Sequence, residues 1–412
     1  MSGSVRPYVK PHLTIGTLGH AGHGKSTLAA AFTRAPGGPG TPPTGRSGPP
    51  RRRSEPPEPQ PRPQARSQTE ALWAEYETDT RRYTHLEMPS GPGLLATAGV
   101  GVLDGAVLAV SVLDGVRPQT TEHVLLAHLM GVEHLVVALT KSDEGEDELT
   151  ELVELDVRAL LNTYGFAGDT LPVLRVSAER ALAGDPLWTG SIEALLDAVD
   201  TYVPQPERDT AAPLILPVTA AAVAAGRGAR VAGTVERGTV KIGDRLRAYA
   251  PDGPVDVRVA EVETGGAPAG AATAGEAVTL LLTGPAADLR GAVLAPAGSL
   301  TSGRCMEAGL RLLTAAEGGR DTPLRPGTRA GFQLRTATVP GVILLGGREP
   351  GLPGGEVEAR VRLDTAVPLE SGLRFAVGEG GATLAVGRVT RIAPETGVLP
   401  TGAPPSQWDG GS

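Results

Sequence analysis

The chain has 412 residues, 40% of them hydrophobic and 20% charged, so we expect two or three domains of about 100–200 residues with packed cores. A formal net charge of −8 argues against a general electrostatic attraction to nucleic acid and leaves a local basic groove as the alternative. A single cysteine, Cys305, excludes an intramolecular disulfide, which suits a reducing cytoplasm. No run of about 18 apolar residues predicts a membrane span, and Met1–Gly16 has no signal-peptide pattern, so we expect a cytoplasmic protein without a membrane partner.

The N-terminal segment predicts a strand, a loop and a helix in succession. His12–Leu18 is typical of a short strand, Gly19–Gly24 of a loop, and Ser26–Thr33 of the beginning of a helix. From Pro36 to Pro63 this pattern ends, because 11 of 28 residues are proline. Nothing apolar there could offset the entropy of ordering, so we predict a disordered insert over about residues 36–68, either a solvated linker or a basic binding segment.

From Leu72 to residue 204 apolar strands alternate with helical stretches. The predicted strands are Val107–Ser111, Leu135–Leu139 and Leu171–Val176, and the predicted helices are Thr120–Met130, Asp147–Tyr164 and Ser191–Val203. Ser191 is of a residue type that caps helices, so we expect it at the N-terminus of the last one. Strands separated by about 10–15 helical residues are typical of βαβ units. The fold class predicted for residues 1–204 is therefore α/β, a doubly wound parallel sheet.

After Pro204–Pro206 the chain changes to short strands and glycine-rich turns. The predicted strands are Arg230–Arg237, Thr239–Tyr249, Ala277–Thr283, Gly355–Leu363, Leu373–Val377 and Thr383–Ile392. A stretch of about 200 residues suits two small barrels better than one. We therefore expect all-β barrel domains at 205–300 and 301–393 and a disordered tail at 394–412.

The strongest motif is a G-x-x-x-x-G-K-S phosphate loop that follows a predicted strand and opens a predicted helix, as the motif requires. The backbone amides and the helix N-terminus are expected to hold the phosphates. Lys25, one of only four lysines in the chain, would neutralise phosphate oxygens, and Ser26 would ligate Mg²⁺. The predicted contacts are Gly19, His20, Ala21, Gly22, His23, Gly24, Lys25, Ser26 and Thr27. The alternatives are a functionless glycine-rich turn and, for the two histidines, simple packing within the loop.

Two weaker motifs follow later strands. Thr140, Lys141 and Asp143 come directly after Leu135–Leu139, and Ser177-Ala178 ends the next predicted strand. Asp143 can accept two hydrogen bonds from a guanine edge, and the Lys141 stem can pack on the base. A solvated ion pair is the usual interpretation of such a Lys-Asp pair. Their order after a phosphate loop, at the carboxyl ends of parallel strands, favours a nucleotide site instead.

These motifs belong to longer segments that resemble the elongation factor Tu family in the family's order, over nearly the whole chain. The segments are KPHLTIGTLGHAGHGKSTL, LAVSVLDGVRPQTTEHVLLAHLMGVEHLVV, ELVELDVRALLNTYGFAGD, VPQPER, GRGARVAGTVERGTVKIGD and LRFAVGEGG. The resemblance implies a monomeric protein with a GTP-binding domain and two β-barrels. It also implies GTP, GDP and Mg²⁺ as ligands, and aminoacyl-tRNA, the ribosome and a nucleotide exchange factor as partners.

The residues that the family uses for hydrolysis are altered. The family's Val-Asp in the phosphate loop is Ala21-Gly22, and its Asn before the guanine-recognising Lys is Thr140. The proline-rich stretch replaces the switch segment whose Thr serves Mg²⁺ and the γ-phosphate. The family's Asp-Cys-Pro-Gly-His is Glu87-Met88-Pro89-Ser90-Gly91, so Glu87 is left to reach Mg²⁺ through water. Gly91 stands at the position of the catalytic histidine, and Lys25 is the remaining group expected to stabilise phosphate charge.

The residues that the family uses for aminoacyl-tRNA are altered too. Gly91 is followed by no Lys-Asn pair, Glu263–Gly266 lacks the expected aromatic and basic residues, and Ala277 replaces an Asn or His. The preferred hypothesis is therefore a translation-factor-like GTP-binding protein with impaired hydrolysis and with weak or lost aminoacyl-tRNA binding. The alternatives are a pseudo-GTPase and a regulatory or decoy binding module.

Overall fold

The computed structural model of the chain describes residues 10–34, 72–88, 103–224, 228–284, 288–346, 349–380 and 382–394. Within these ranges an α/β domain is followed by two β-barrels, which confirms the predicted fold class. The predicted insert, Ser90 and Gly91, and the predicted tail beyond Pro394 lie outside the described residues. Among the helices that these ranges contain, none is long and apolar enough to cross a membrane.

The sheet of the α/β domain has six strands in the order β2-β3-β1-β4-β5-β6. They are β1 (His12–Leu18), β2 (Leu72–Glu77), β3 (Arg82–Glu87), β4 (Gly105–Ser111), β5 (Leu135–Thr140) and β6 (Val173–Arg175). All neighbouring pairs are parallel except β2–β3, an antiparallel hairpin at one edge. The carboxyl ends of the five parallel strands therefore meet at one edge of the domain, where open α/β sheets bind ligands.

The central strands are buried because both sheet faces are covered. Every residue of β4 and β5 is buried, and alternate residues enter two separate cores: Leu108 packs with residues of α2 and α3, and Val107 with residues of α1 and α5. Continuous apolar strands of this kind are typical of a sheet covered on both sides. The helices are α1 (Lys25–Arg34), α2 (Pro118–Met130), α3 (Asp147–Thr163), α4 (Ala178–Leu182) and α5 (Pro186–Tyr202).

Two of the predicted elements of this domain were wrong in extent. Helix α5 begins at Pro186, not at Ser191, because Asp185 is its cap and accepts a hydrogen bond from the Leu187 amide at 3.0 Å. Ser191 lies inside the helix, where its Oγ donates to the Trp188 carbonyl at 2.7 Å. The strand predicted at Leu171–Val176 has only the three ladder residues of β6.

The first barrel is a ring of six strands in the order β10-β15-β7-β8-β14-β11, closed by the pairing of β10 with β11. Its strands, with three short additional ones, are β7 (Leu216–Ala224), β8 (Gly228–Thr234), β9 (Thr239–Lys241), β10 (Arg245–Ala250), β11 (Gly253–Thr264), β12 (Ala267–Ala269), β13 (Ala271–Thr273), β14 (Ala277–Thr283) and β15 (Val293–Ala295). The single strand predicted at Thr239–Tyr249 is interrupted by a turn. Gly243 has a φ of 94°, and Asp244 accepts a hydrogen bond from the Lys241 amide at 2.8 Å.

The second barrel is closed in the order β16-β19-β18-β17-β20-β21. Its strands are β16 (Thr301–Leu312), β17 (Thr328–Leu334), β18 (Ala337–Leu345), β19 (Glu356–Leu369), β20 (Arg374–Glu379) and β21 (Ala382–Ile392). Alternate residues of each strand fill the interior, and Phe332 and Phe375 are fully buried there.

Contacts between described residues connect the domains. Leu313 and Val386 of the second barrel join the core formed by α2 and α3. Asp104, before β4, accepts hydrogen bonds from the Arg208 guanidinium and from the Thr14 amide. Arg208 in turn lies against Gly275 of the first barrel, where an added Cβ would come within 2.5 Å of its Nε atom.

Candidate nucleotide site

The phosphate loop leaves β1 through a glycine that no other residue could replace. Gly19 has a φ of 132°, and a Cβ built on it would lie 2.2 Å from the Ala109 carbonyl oxygen. Gly22 and Gly24 also have positive φ values, of 82° and 81°, but a Cβ on Gly22 would meet nothing within 4 Å. The loop is therefore tight against β4 on one side and open on the other, as a cradle for phosphates must be.

Two side chains of α2 support the loop from behind. His123 Nδ1 accepts a hydrogen bond from the Gly19 amide at 3.1 Å, and Gln119 Oε1 accepts one from the Ala21 amide at 2.9 Å. The two residues are one helical turn apart, so they lie on the same face of α2. Burial lowers the pKa of His123 to about 3, with further lowering by Lys25 and His20, which keeps the ring neutral and able to accept. Neither residue was predicted from the sequence. Their i, i+4 spacing is present in the sequence, but their contact with the loop is evident only in the structure.

Lys25 is the charged centre of the loop. It is 4% exposed, and its Nζ donates to the carbonyls of Gly19 and His20 at 2.9 and 3.0 Å. Burial lowers its pKa to about 8, partly opposed by the nearby Glu87 carboxylate. An ammonium that is already desolvated attracts phosphate oxygens more strongly than a solvated one, because it has less hydration to lose on binding.

Ser26 and Glu87 meet beside the loop although 61 residues separate them. Glu87 ends β3 and pairs with Thr17 across the parallel ladder to β1, and the Ser26 hydroxyl donates to Glu87 Oε1 at 2.5 Å. A hydroxyl beside a carboxylate is a donor set that suits Mg²⁺, which keeps several waters and needs few protein ligands. Among the described residues no three His, Cys, Asp or Glu side chains converge as a metal site.

The segment after β5 is attached to the phosphate loop. Thr140 Oγ1 donates to the His23 carbonyl at 2.8 Å, which connects the end of β5 directly to the loop between β1 and α1. Lys141 has a φ of 58°, a conformation that costs a non-glycine residue about 1–3 kcal/mol and that occurs often at functional sites. Its Nζ lies 3.6 Å from Asp114 Oδ2. Ser142 fixes the turn by donating to the Leu139 carbonyl at 2.7 Å.

Asp143 faces the beginning of α4. Ser177 is buried and caps α4 by accepting a hydrogen bond from the Arg180 amide at 3.3 Å, and Ala178, the first helical residue, is 6% exposed. Burial alone would raise the pKa of Asp143, but hydrogen bonds from Ser177 and Arg180 more than offset this and hold it below its ordinary value. The carboxylate is therefore ionised and can accept hydrogen bonds from a base.

The two histidines of the loop, His20 and His23, differ from the polar groups of the site described above. His23 is fully buried, and its ring packs edge-on against His20 with 5.2 Å between centroids. Burial, with help from His20, lowers the pKa of His23 to about 4. A neutral, buried ring is a packing residue, so only the backbone of His23 is available to a ligand. Thr27 lies in the first turn of α1 and is partly exposed.

A second concave region lies between the β2–β3 hairpin and the first barrel. Gly265 and Gly266, with φ values of 59° and 72°, form the tight turn between β11 and β12, and Gly265 approaches Glu75 and Arg82 of the hairpin. A cavity of about 110 Å³ lies there, and Ala277 forms part of its wall. Acidic side chains outnumber basic ones in its lining.

Two family models and one known protein match the sequence of this chain. Residues 10–205 match the family model of the elongation factor Tu GTP binding domain, and residues 299–393 match that of the elongation factor Tu C-terminal domain. The chain is 48% identical over 391 residues to Elongation factor Tu 2 of Streptomyces avermitilis, an alignment that covers 93% of this chain and 97% of that protein.

Proposed function

Because the chain belongs to the elongation factor Tu family, we propose that it is a translation-elongation-type GTP-binding protein that retains nucleotide binding and has lost fast hydrolysis. The observation that supports nucleotide binding is that Lys25, the Ser26–Glu87 pair and Asp143 follow the carboxyl ends of the parallel strands β1, β3 and β5, and that Thr140 at the end of β5 is hydrogen-bonded to the loop. In the proposal Lys25 binds phosphate, the Ser26–Glu87 pair binds the metal ion, and Asp143 recognises the base.

The proposed contacts divide by ligand part. The loop from Gly19 to Thr27 holds the phosphates of GTP or GDP, Thr140, Lys141 and Asp143 hold the base, and Ser177-Ala178 supports Asp143. Mg²⁺ is held by Ser26 and, through water, by Glu87. When bound, the ion neutralises charge on the β- and γ-phosphates.

The proposed loss of hydrolysis rests on what the sequence lacks. Phosphoryl transfer to water needs a nucleophile held in line with the γ-phosphate and stabilisation of the charge that develops. Lys25 supplies part of the second requirement. Gly91 has no side chain with which to hold water, and Ser90 stands where the family has a glycine. We therefore propose slow turnover, with similar affinities for GDP and for a non-hydrolysable GTP analogue.

We propose that aminoacyl-tRNA binding is weak or lost, whereas the ribosome and a nucleotide exchange factor remain candidate partners through family membership. The cavity between Glu75, Gly265 and Ala277 has no aromatic or basic residue from the first barrel, and its excess of carboxylates does not favour a polyanionic ligand end. Nanomolar protection of an aminoacyl ester by the GTP form would contradict this part. We also propose domain limits at residues 204 and 300.

A second candidate function is a regulatory or decoy module that binds a partner and does not use a nucleotide. The Arg180–Asp143 ion pair favours it, because a base-recognition carboxylate that already has a cationic partner can be part of a purely structural site. The two candidates differ in whether nucleotide is bound at all.

Equilibrium titration of the purified protein with GTP, GDP and ATP, with and without Mg²⁺, tests the proposal. We expect tight, Mg²⁺-assisted binding of GTP and GDP and much weaker binding of ATP. Asp143→Asn should weaken GTP binding by the roughly 1.5–3 kcal/mol of a hydrogen bond to a charged group. Equal affinity for ATP and GTP would contradict guanine recognition, and no binding would favour the binding module.

A further inference from the structure

Arg180 is held directly on the carboxylate that recognises the base. Its Nε lies 3.1 Å from Asp143 Oδ2, and its amide is anchored to Ser177 Oγ at 3.3 Å by the N-cap of α4. The Arg180 side chain is 60% exposed, whereas Asp143 is 12% exposed. The guanidinium therefore covers the solvent side of Asp143, at the position that the edge of a bound base must approach.

This contact changes the hydrogen-bonding pattern that the site presents. An ionised carboxylate only accepts hydrogen bonds, so Asp143 alone suits guanine, which presents N–H donors at N1 and at the C2 amino group. Xanthine keeps the N1 donor but carries a carbonyl oxygen at C2, which a bare carboxylate would repel. A guanidinium beside Oδ2 adds donors at that position, and its planar fork has more N–H groups than its single bond to Asp143 uses.

We propose that Arg180 is a specificity-determining residue that extends the base site from guanine to 6-oxopurine nucleotides with an oxygen at C2, that is, to xanthine nucleotides. In this arrangement the N1 donor binds Asp143 and the C2 oxygen accepts from Arg180. Guanine still binds, because an exposed single-bonded arginine is held weakly and swings away at little cost. The inference rests on the proposed function, since it assumes that Asp143 contacts the base.

The test compares XDP with GDP, in which a carbonyl oxygen of xanthine replaces the C2 amino group of guanine. Dissociation constants of both are measured for the unaltered protein and for Arg180→Met, which removes the donors and keeps a side chain of similar length. We expect Arg180→Met to raise the ratio of the XDP to the GDP dissociation constant by roughly three- to tenfold, the size of one exposed charge-assisted contact. A structural role for Arg180 would weaken both ligands equally and leave the ratio unchanged.

Arg329→Met is the matched control. Arg329 is 62% exposed and pairs with Asp364 on the second barrel, so its loss removes the same charge from a comparable ion pair away from the site. The ratio should stay within about twofold of the unaltered value in this control. If Arg180→Met still bound GDP but left the ratio of the XDP to the GDP dissociation constant unchanged or lower, the inference would be overturned and the proposed function would stand. No GDP binding by the unaltered protein would overturn the proposed function and the inference with it.

Discussion

At the scale of single residues, Lys25 shows how burial adjusts a charge to its ligand. The ammonium is nearly enclosed and donates to the neutral carbonyls of Gly19 and His20. Desolvation therefore lowers its pKa to about 8, close enough to neutrality that the charge can be removed within an ordinary experimental pH range. An exposed lysine, with an ordinary pKa of about 10.4, would remain charged throughout that range.

We therefore predict that the affinity for GDP falls as the pH rises through about 8. Below this pH the free protein already carries the charge that the phosphates need. Above it, binding must first take up a proton, which weakens affinity by at most about tenfold per pH unit. Calorimetric titration between pH 7 and pH 9.5 in two buffers of different ionisation enthalpy would detect the proton. Constant affinity with no proton uptake would contradict the assignment of Lys25.

At the scale of elements, the phosphate loop depends on two glycines for different reasons. Gly19 is confined by the Ala109 carbonyl of β4, whereas Gly22 faces open space. Both have positive φ values, so both substitutions are strained, but only one also clashes.

Gly19→Ala should accordingly lower the free energy of unfolding of the α/β domain by at least about 3 kcal/mol, the sum of backbone strain and overpacking. Gly22→Ala, its control, should cost only about 1 kcal/mol. Denaturant unfolding of both variants tests the pair. If the two costs were equal, the contact with β4 would not be what confines the loop.

Some helices and strands could be predicted from the sequence and others could not. The continuous apolar runs of β4 and β5 and the phosphate-loop pattern are local signals, and the elements built on them were predicted to within one or two residues. The β2–β3 hairpin was missed because neither strand is a continuous apolar run, and its place in the sheet depends on the pairing of β3 with β1, which is distant in sequence. The start of α5 was missed because Asp185 and Ser191 are both good caps, and only the observed hydrogen bond distinguishes them. The role of Arg180 depends on a contact with Asp143 across 37 residues, which no local pattern contains.

At the scale of the whole molecule, buried charge joins the two barrels. Arg335, in the turn between β17 and β18, has a side chain that is 5% exposed. It donates to Glu236 of the first barrel at 2.8 and 3.2 Å and to Glu370 of the second. Burial alone would lower the pKa of Arg335, but the two carboxylates more than reverse this. The junction therefore stays ionised.

Arg335→Met should leave Glu236 without this guanidinium, while Glu370 keeps its ion pair with Arg237 at 3.1 Å, and it should lower the free energy of unfolding by about 1.5–3 kcal/mol, the size of hydrogen bonds to charged groups. Arg329→Met, which removes an exposed ion pair, should change it by less than about 1 kcal/mol. Denaturant unfolding of both variants provides the comparison. Similar small effects in both would mean that the barrels associate mainly through apolar contact.

Histidine distribution predicts where the molecule is weakest in acid. All seven histidines lie between His12 and His134, and burial lowers the pKa of His12, His23 and His85 to about 4 and that of His123 to about 3. Between pH 6.5 and pH 4 the unfolded state thus binds more protons than the folded state, so the stability of the α/β domain should fall as the pH falls through this window. Hydrogen exchange at pH 7 and pH 5 should show protection lost there first. Earlier loss in the barrels, which contain no histidine, would contradict this.

Retained nucleotide binding with loss of fast hydrolysis is tested most directly by single-turnover cleavage of GTP by the unmodified protein, with and without ribosomes. The loop keeps Lys25 and the Ser26–Glu87 metal site, so GTP should bind, but Gly91 cannot position water, so cleavage should be slow and nearly the same in both reactions. A ribosome-dependent acceleration of several orders of magnitude would mean that another residue positions the attacking water, and it would contradict the claim.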